Sequence, residues 1–214
     1  MRKFQKIVVF PFIVLCSCSK QNESTFDMST YDGRVAFFEY ENKNNPTTDL
    51  CMIGDSLTQY YDLNHYFPGL KTKNRGIAGD TTTSLLSRLE KSIKGIESNI
   101  TLLLIGANNT QTFKNDYKEL VQKTIQFLPT TNLYLVSITQ TCDAYQGYMP
   151  YIQDDNEYIK VIVQTYSLNY IDLYSQLLDP KTGLLNKKYT VEGQHFNGEG
   201  YQFITDYLKT VLTL

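Results

Sequence analysis

The chain has few cysteines and no basic stripe, and these two features exclude several large protein classes. Its 214 residues include only four cysteines, too few for the disulfide framework of a small secreted scaffold. Lys and Arg number 20 and Asp and Glu number 22, with the two signs interspersed and no basic stripe, so a nucleic-acid partner is not expected. The sequence shows neither an internal repeat nor a central spacer. With 42% hydrophobic residues, it predicts one catalytic domain around one core.

The longest apolar run, residues 7–15, is too short to span a bilayer. Arg2, Lys3 and Lys6 precede it, and this charged-then-apolar order is typical of an export signal. The following Leu-Cys-Ser-Cys tetrapeptide resembles the lipobox of bacterial lipoproteins, and that resemblance makes Cys18 the lipidated residue. An ordinary cleaved secretory signal or an N-terminal anchor is the alternative interpretation.

The sequence therefore predicts three segments. Residues 1–17 are expected to be a lipoprotein signal peptide, 18–30 a flexible polar tether, and 31–214 the folded domain, held at the bacterial cell envelope by a lipid anchor, periplasmic or surface-exposed. Cys51 and Cys142 would then be the only cysteines of the domain. A disulfide between them is possible in an oxidising compartment.

Runs of strand length alternate with helical patterns along the domain. The strand-like runs are 50–53, 70–74, 100–105, 133–138 and 168–173. Apolar residues recur at three- and four-residue steps in 85–93, 117–127, 158–166 and 201–214, and a short first helix is expected over 31–42. This alternation predicts a three-layer α/β/α sandwich around a mostly parallel five-stranded sheet, with the site beyond the carboxyl ends of the strands.

Ser56 is the strongest candidate for a nucleophile. It lies within Gly54-Asp55-Ser56-Leu57, directly after the apolar strand-like run 50–53, where a sharp turn is expected. Asp55 is expected to support that turn. A serine hydroxyl is a weak nucleophile until a base, usually histidine, accepts its proton.

The chain contains only two histidines that could be this base. His65 lies among aromatic and polar residues and is expected to be a surface or loop residue. His195 lies before the last helical pattern, and Glu192, three residues earlier, could accept the other ring proton across a tight turn. A loop histidine that caps the final helix is the alternative for His195.

Acyl transfer also requires hydrogen-bond donors that stabilise the oxyanion as it develops. Gly79, in a segment between a predicted strand and a predicted helix, can bring its backbone N–H close to a ligand. Asn108 offers a side-chain amide at the end of another strand. Taken singly, these residues could be a turn glycine and a strand-end asparagine.

The four segments together, in this order, resemble the GDSL or SGNH hydrolase superfamily. Their matching blocks are 54–57, 76–82, 106–109 and 192–197. The resemblance implies a flavodoxin-like fold, Ser56 as nucleophile, His195 as base, and an oxyanion hole from the N–H groups of Ser56 and Gly79 with the Asn108 side chain. It also implies no metal and no cofactor. Residues 76–82 with Arg88, and the Gly-Ala-Asn-Asn form of the third block, are similar to the platelet-activating-factor acetylhydrolase-like group, which favours acetyl as the acyl group.

Two positions depart from that pattern. Glu192 stands where the superfamily has aspartate, so a repositioned triad is expected, or else a Ser-His dyad oriented by a backbone carbonyl. Gln140 replaces the proline-containing loop of many relatives, which puts the acyl pocket in doubt. The segment 139–155 carries Tyr145, Tyr148 and Tyr151, which could form a platform for a sugar, and Asp154-Asp155 is interpreted as the cap of the next helix.

These observations predict a serine esterase that hydrolyses short-chain acyl esters, through a covalent acyl-enzyme, on small esters or on acylated glycans or lipids. Two alternatives remain. One is an O-acyltransferase with the same triad, and the other is a catalytically dead glycan-binding surface lipoprotein.

Overall fold

A computed structural model of the chain describes residues 25–109, 112–142 and 149–214. The predicted signal peptide, Cys18, and the tyrosines at 145 and 148 lie outside these ranges. The first helix begins at Tyr31, because Thr30 caps it by accepting a hydrogen bond from the N–H of Gly33.

The chain alternates between strands and helices over its whole described length. The strands are β1 Thr47–Gly54, β2 Thr72–Gly76, β3 Glu97–Leu104, β4 Leu133–Val136 and β5 Asn169–Ile171. The helices are α1 Tyr31–Asn44, α2 Ser56–Gln59, α3 Leu63–Tyr66, α4 Thr82–Ile93, α5 Phe113–Phe127, α6 Met149–Tyr166, α7 Leu173–Gln176 and α8 Gly198–Leu212. The predicted strands and longer helices are confirmed with shifts at their ends. The four-residue helices α2, α3 and α7 were not predicted.

The five strands form one sheet in the order β2-β1-β3-β4-β5, and every neighbouring pair is parallel. The chain leaves β1 towards one edge of the sheet and then crosses back to β3 on the other side of β1. Open parallel sheets bind ligands at the carboxyl ends of the strands where the direction of winding reverses. The carboxyl ends of β1 and β3, where Gly54 lies opposite Leu104, are therefore the expected place for a site.

Side chains of β1 alternate between two apolar layers. Cys51 and Ile53 pack in one cluster with residues of α4, α5 and α6, whereas Leu50 and Met52 pack in the other with residues of α2 and α8. Because successive strand residues point to opposite faces, the two clusters lie on opposite sides of the sheet. The predicted three-layer sandwich is confirmed.

Two interpretations of the sequence are corrected by the fold. Cys51 and Cys142 are free and buried in different clusters, so the possible disulfide is not formed. Asp154 and Asp155 do not cap a helix, because α6 begins at Met149 and carries both inside its length. The apolar spacing around 158–166 had located this helix but not its start.

No helix in the described ranges combines the length and apolarity needed to cross a membrane. Within the same ranges, no group of three or more His, Cys, Asp or Glu side chains is placed to hold a metal ion.

Candidate active site

Ser56 lies at the point where β1 turns into α2. Gly54 makes this turn possible, because a Cβ there would lie 2.0 Å from the carbonyl oxygen of Leu104 in the neighbouring strand. Asp55 caps α2, and its Oδ1 accepts a hydrogen bond from the N–H of Leu57 at 3.0 Å. Ser56 is then the first residue of the helix. Its side chain is held in one place by a short, buried turn.

His195 reaches Ser56 from a distant part of the chain. Its Nε2 lies 2.9 Å from Ser56 Oγ, although the two residues are 139 positions apart. On the other side of the ring, Nδ1 is paired with Glu192 Oε1, which also accepts the backbone N–H of His195 at 3.1 Å. The longer side chain of glutamate thus reaches the ring across a tight turn. In this structure the partner of Nδ1 is a carboxylate and not a backbone carbonyl.

Thr190 organises the loop that carries His195. Its hydroxyl donates to the carbonyl of His195 at 2.8 Å and accepts the N–H of Gly193 at 2.8 Å. Val191 closes the loop by donating its N–H to the same His195 carbonyl. The loop remains on the surface, and the side chains of His195 and Glu192 are 34% and 36% exposed.

Gly79 and Asn108 follow β2 and β3, the two strands that neighbour β1, at the carboxyl edge of the sheet. Gly79 has φ +82°, a conformation that favours glycine, and the space where a Cβ would stand is open. Among the described residues, none accepts a hydrogen bond from its N–H. Asn108 donates one amide hydrogen to the carbonyl of Asp80 at 2.9 Å, which fixes the side chain and leaves the second amide hydrogen available.

A buried ion pair between Asp80 and Arg88 supports the turn that holds Gly79. Its role was not predicted from the sequence. Their side chains are 1% and 3% exposed, and the closest oxygen and nitrogen are 2.6 Å apart. Arg88 also donates to the carbonyls of Gly54 at 3.1 Å and Arg75 at 2.9 Å. The guanidinium thereby links the ends of β1 and β2 to the turn that holds Gly79. Burial raises the pKa of Asp80, and the charge of Arg88 opposes that rise.

Asp55 is the second buried carboxylate near the serine. It is fully buried, and its Oδ2 has no hydrogen-bond partner in the described ranges. Burial raises the pKa of Asp55 to about 7, with the bond from Leu57 working in the opposite direction. The predicted supporting role fits its position as the cap of α2.

His65 is exposed, as expected, but it lies in α3 and not in a loop. Its ring packs edge-on against Tyr66, and it lines an open depression that also includes His195. Tyr60 lines the same depression, with its ring centroid 5.6 Å from that of His195. Tyr60 could not be predicted from the sequence, because a single exposed tyrosine after a four-residue helix has no pattern around it.

The arrangement can perform acyl transfer. A hydroxyl is hydrogen-bonded to an imidazole, the imidazole is oriented by a carboxylate, and Gly79 and Asn108 offer N–H donors after the two neighbouring strands.

Comparison with known proteins shows which family the chain matches. Residues 52–203 match the family model of the GDSL-like lipase/acylhydrolase family. A curated N-acylneuraminate cytidylyltransferase from Escherichia coli is 25% identical over 182 residues. The match covers 81% of this chain but only 42% of that protein's length.

Solved structures with the same fold include proteins from several bacteria. A Streptococcus pneumoniae protein provisionally named a platelet activating factor has a TM-score of 0.75 at 26% identity, with 85% of this chain and 92% of that one covered. A GDSL-like lipase from Bacteroides thetaiotaomicron has a TM-score of 0.70 at 17% identity, covering 84% and 97%. An acetylxylan esterase from Geobacillus stearothermophilus has a TM-score of 0.62 at 16% identity, covering 78% and 94%.

Proposed function

Because this chain belongs to the GDSL-like lipase/acylhydrolase family and is an ester hydrolase, we propose that it removes short acyl groups, acetyl above all, through Ser56, His195 and Glu192. The single observation that carries the proposal is the continuous series of contacts from Ser56 Oγ through the His195 ring to Glu192 Oε1. The acetylxylan esterase among the structural neighbours supports acetyl and carbohydrate as the two halves of the ester.

The reaction proceeds in two halves. In the first, His195 Nε2 takes the proton of Ser56 as Oγ attacks the ester carbonyl, and the oxyanion is stabilised by the N–H groups of Ser56 and Gly79 with the Asn108 amide. His195 then gives that proton to the departing alcohol, which leaves an acyl-Ser56 ester. In the second half, His195 takes a proton from water, the resulting hydroxide attacks the acyl group, and the proton returns to Ser56. Glu192 stabilises the imidazolium formed in each half.

Replacement of the nucleophile tests the proposal. We expect Ser56→Ala to lower the kcat of the purified protein on p-nitrophenyl acetate by about 10³-fold or more, since no other oxygen can form the acyl-enzyme. Ser87→Ala is the matched control, because Ser87 is exposed on α4 and outside the site. If Ser56→Ala turns over the ester as fast as wild type, the assignment is wrong. Rates on acetate, butyrate and octanoate esters report the chain-length preference, which we expect to favour acetate.

Export and lipidation at Cys18 belong to the same proposal and rest on the sequence alone. An enzyme held at the cell envelope would meet acylated glycans or lipids outside the cytoplasm. Fatty-acid labelling of the wild type, with loss of label in Cys18→Ala, is the expected result. Equal labelling of the two proteins would rule out Cys18 as the attachment point.

A further inference from the structure

The direction of proton transfer determines where the alcohol half of the ester lies. When the tetrahedral intermediate collapses, the departing oxygen must lie next to the nitrogen that protonates it, which is His195 Nε2. The oxyanion points the other way, towards Gly79 and Asn108. The alcohol therefore extends over the surface on the His195 side of Ser56.

That surface is concave, and its lining includes exposed side chains that lie outside the core. An open depression runs outward from His195, and we call it the alcohol-side depression; its lining includes Tyr60, Asp62, His65, Tyr66 and Val191. Tyr60 is 54% exposed and Val191 is 73% exposed, although both are large and apolar. Tyr60 nevertheless has a defined position, because its ring meets the His195 ring at 63°.

The lining combines apolar and polar groups in the way a sugar requires. Tyr60 and Val191 present apolar surface to solvent, while the exposed Asp62 and His65 place a carboxylate and an imidazole on the same lining. A pyranose has an apolar C–H face and hydroxyl groups around its edge, so it can use both kinds of contact at once. A long alkyl chain would cover the polar groups and leave much of its own length in water.

We propose that the alcohol-side depression binds the sugar ring that carries the ester, with Tyr60 as the residue that selects it. The inference rests on the proposed function and specifies where the alcohol half of the ester binds. It also moves the sugar contact away from the tyrosines of 139–155, of which Tyr151 lies on α6 with 41% exposure.

Two acetyl esters that differ only in the alcohol test the inference. Ethyl acetate and 6-O-acetylglucose give the same acetyl-enzyme, so a difference in kcat/KM between them reports contacts made by the alcohol during acylation. We expect Tyr60→Ala to lower kcat/KM for 6-O-acetylglucose by a factor that is about fivefold or more larger than the factor by which it lowers kcat/KM for ethyl acetate. Tyr60→Phe, which keeps the ring, should restore the sugar ester.

Tyr151→Ala is the control, because it removes a similarly exposed tyrosine outside the depression. Loss of the sugar ester in Tyr151→Ala with no loss in Tyr60→Ala would overturn the inference. Equal losses on both esters in Tyr60→Ala would also overturn it, since they would mean that Tyr60 only positions His195. A wild type that hydrolyses ethyl acetate but not the sugar ester defeats this inference alone. A wild type that hydrolyses neither defeats the proposed function.

Discussion

The two sides of the candidate site are built in different ways. On the nucleophile side, Ser56 lies in a buried turn next to Asp55, and Arg88 ties the ends of two strands to Asp80. On the base side, His195 lies in a surface loop whose shape depends on a few bonds around Thr190.

Because of this difference, variants on the two sides should affect stability and activity to different extents. A change on the nucleophile side exposes or unpairs buried charge, so it should affect stability together with activity. A change on the base side removes contacts that are already one-third exposed, so it should affect activity while the fold persists. Measuring kcat and the free energy of unfolding on the same variants tests the contrast.

Among the variants that test this contrast, those of Glu192 should lower kcat the most. Glu192→Ala removes the carboxylate from His195 Nδ1, so the ring loses both its orientation and its counter-charge. We expect kcat on p-nitrophenyl acetate to fall by about 10²- to 10⁴-fold. The free energy of unfolding should change by less than about 1 kcal/mol, because the site is on the surface.

Glu192→Gln separates the loss due to the missing charge from the loss due to the missing hydrogen-bond acceptor. A glutamine keeps an oxygen that can accept from His195 Nδ1 but has no charge, so its kcat should lie between those of the wild type and Glu192→Ala. Near-wild-type activity in Glu192→Ala would instead support a Ser-His dyad. A large loss of stability in either variant would contradict the proposed contrast between the two sides.

Arg88 is the matching test on the nucleophile side. Arg88→Met leaves the Asp80 carboxylate buried without its counter-ion and removes the donors to Gly54 and Arg75. We expect the free energy of unfolding, measured by urea denaturation, to fall by about 3 to 5 kcal/mol. Lys94→Ala is the control, because it breaks a pair with Glu90 in which both side chains are 64% exposed, and it should lower the free energy of unfolding much less than Arg88→Met does. Similar losses in the two variants would show that the buried pair has no special role in stability.

The same contrast explains which parts of the molecule could be predicted from its sequence. The apolar runs and periodic helices locate the layers, because burial on a sheet or helix face leaves a repeating pattern. The pairing of Asp80 with Arg88 leaves no such pattern, since it depends on how a turn and the next helix pack. Tyr60 was missed for a similar reason, because its position against His195 depends on two segments that are distant in the sequence. Residue types and motifs therefore predicted the candidate catalytic residues, whereas the pairing of Asp80 with Arg88 and the position of Tyr60 depend on tertiary contacts.

Asp55 should give the smallest effect and would sharpen the contrast through its pH dependence. Burial raises the pKa of Asp55 from its ordinary value of 3.8 to about 7, so between these values the folded state holds a proton that the unfolded state has released. Its contribution to stability is therefore present below about pH 4 and is lost as the pH rises towards 7.

Asp55→Asn cannot titrate but keeps an oxygen that can accept the N–H of Leu57. Between pH 4.5 and 6.5, the wild type should lose about 1 to 3 kcal/mol more stability than this variant in urea denaturation. Asp155, whose pKa burial also raises to about 7, is present in both proteins and cancels from the difference. Parallel pH profiles would mean that water reaches Asp55 and that the nucleophile side is less completely buried than the structure indicates. A steeper fall in the wild type would instead link the buried charge beside Ser56 directly to the stability of the fold.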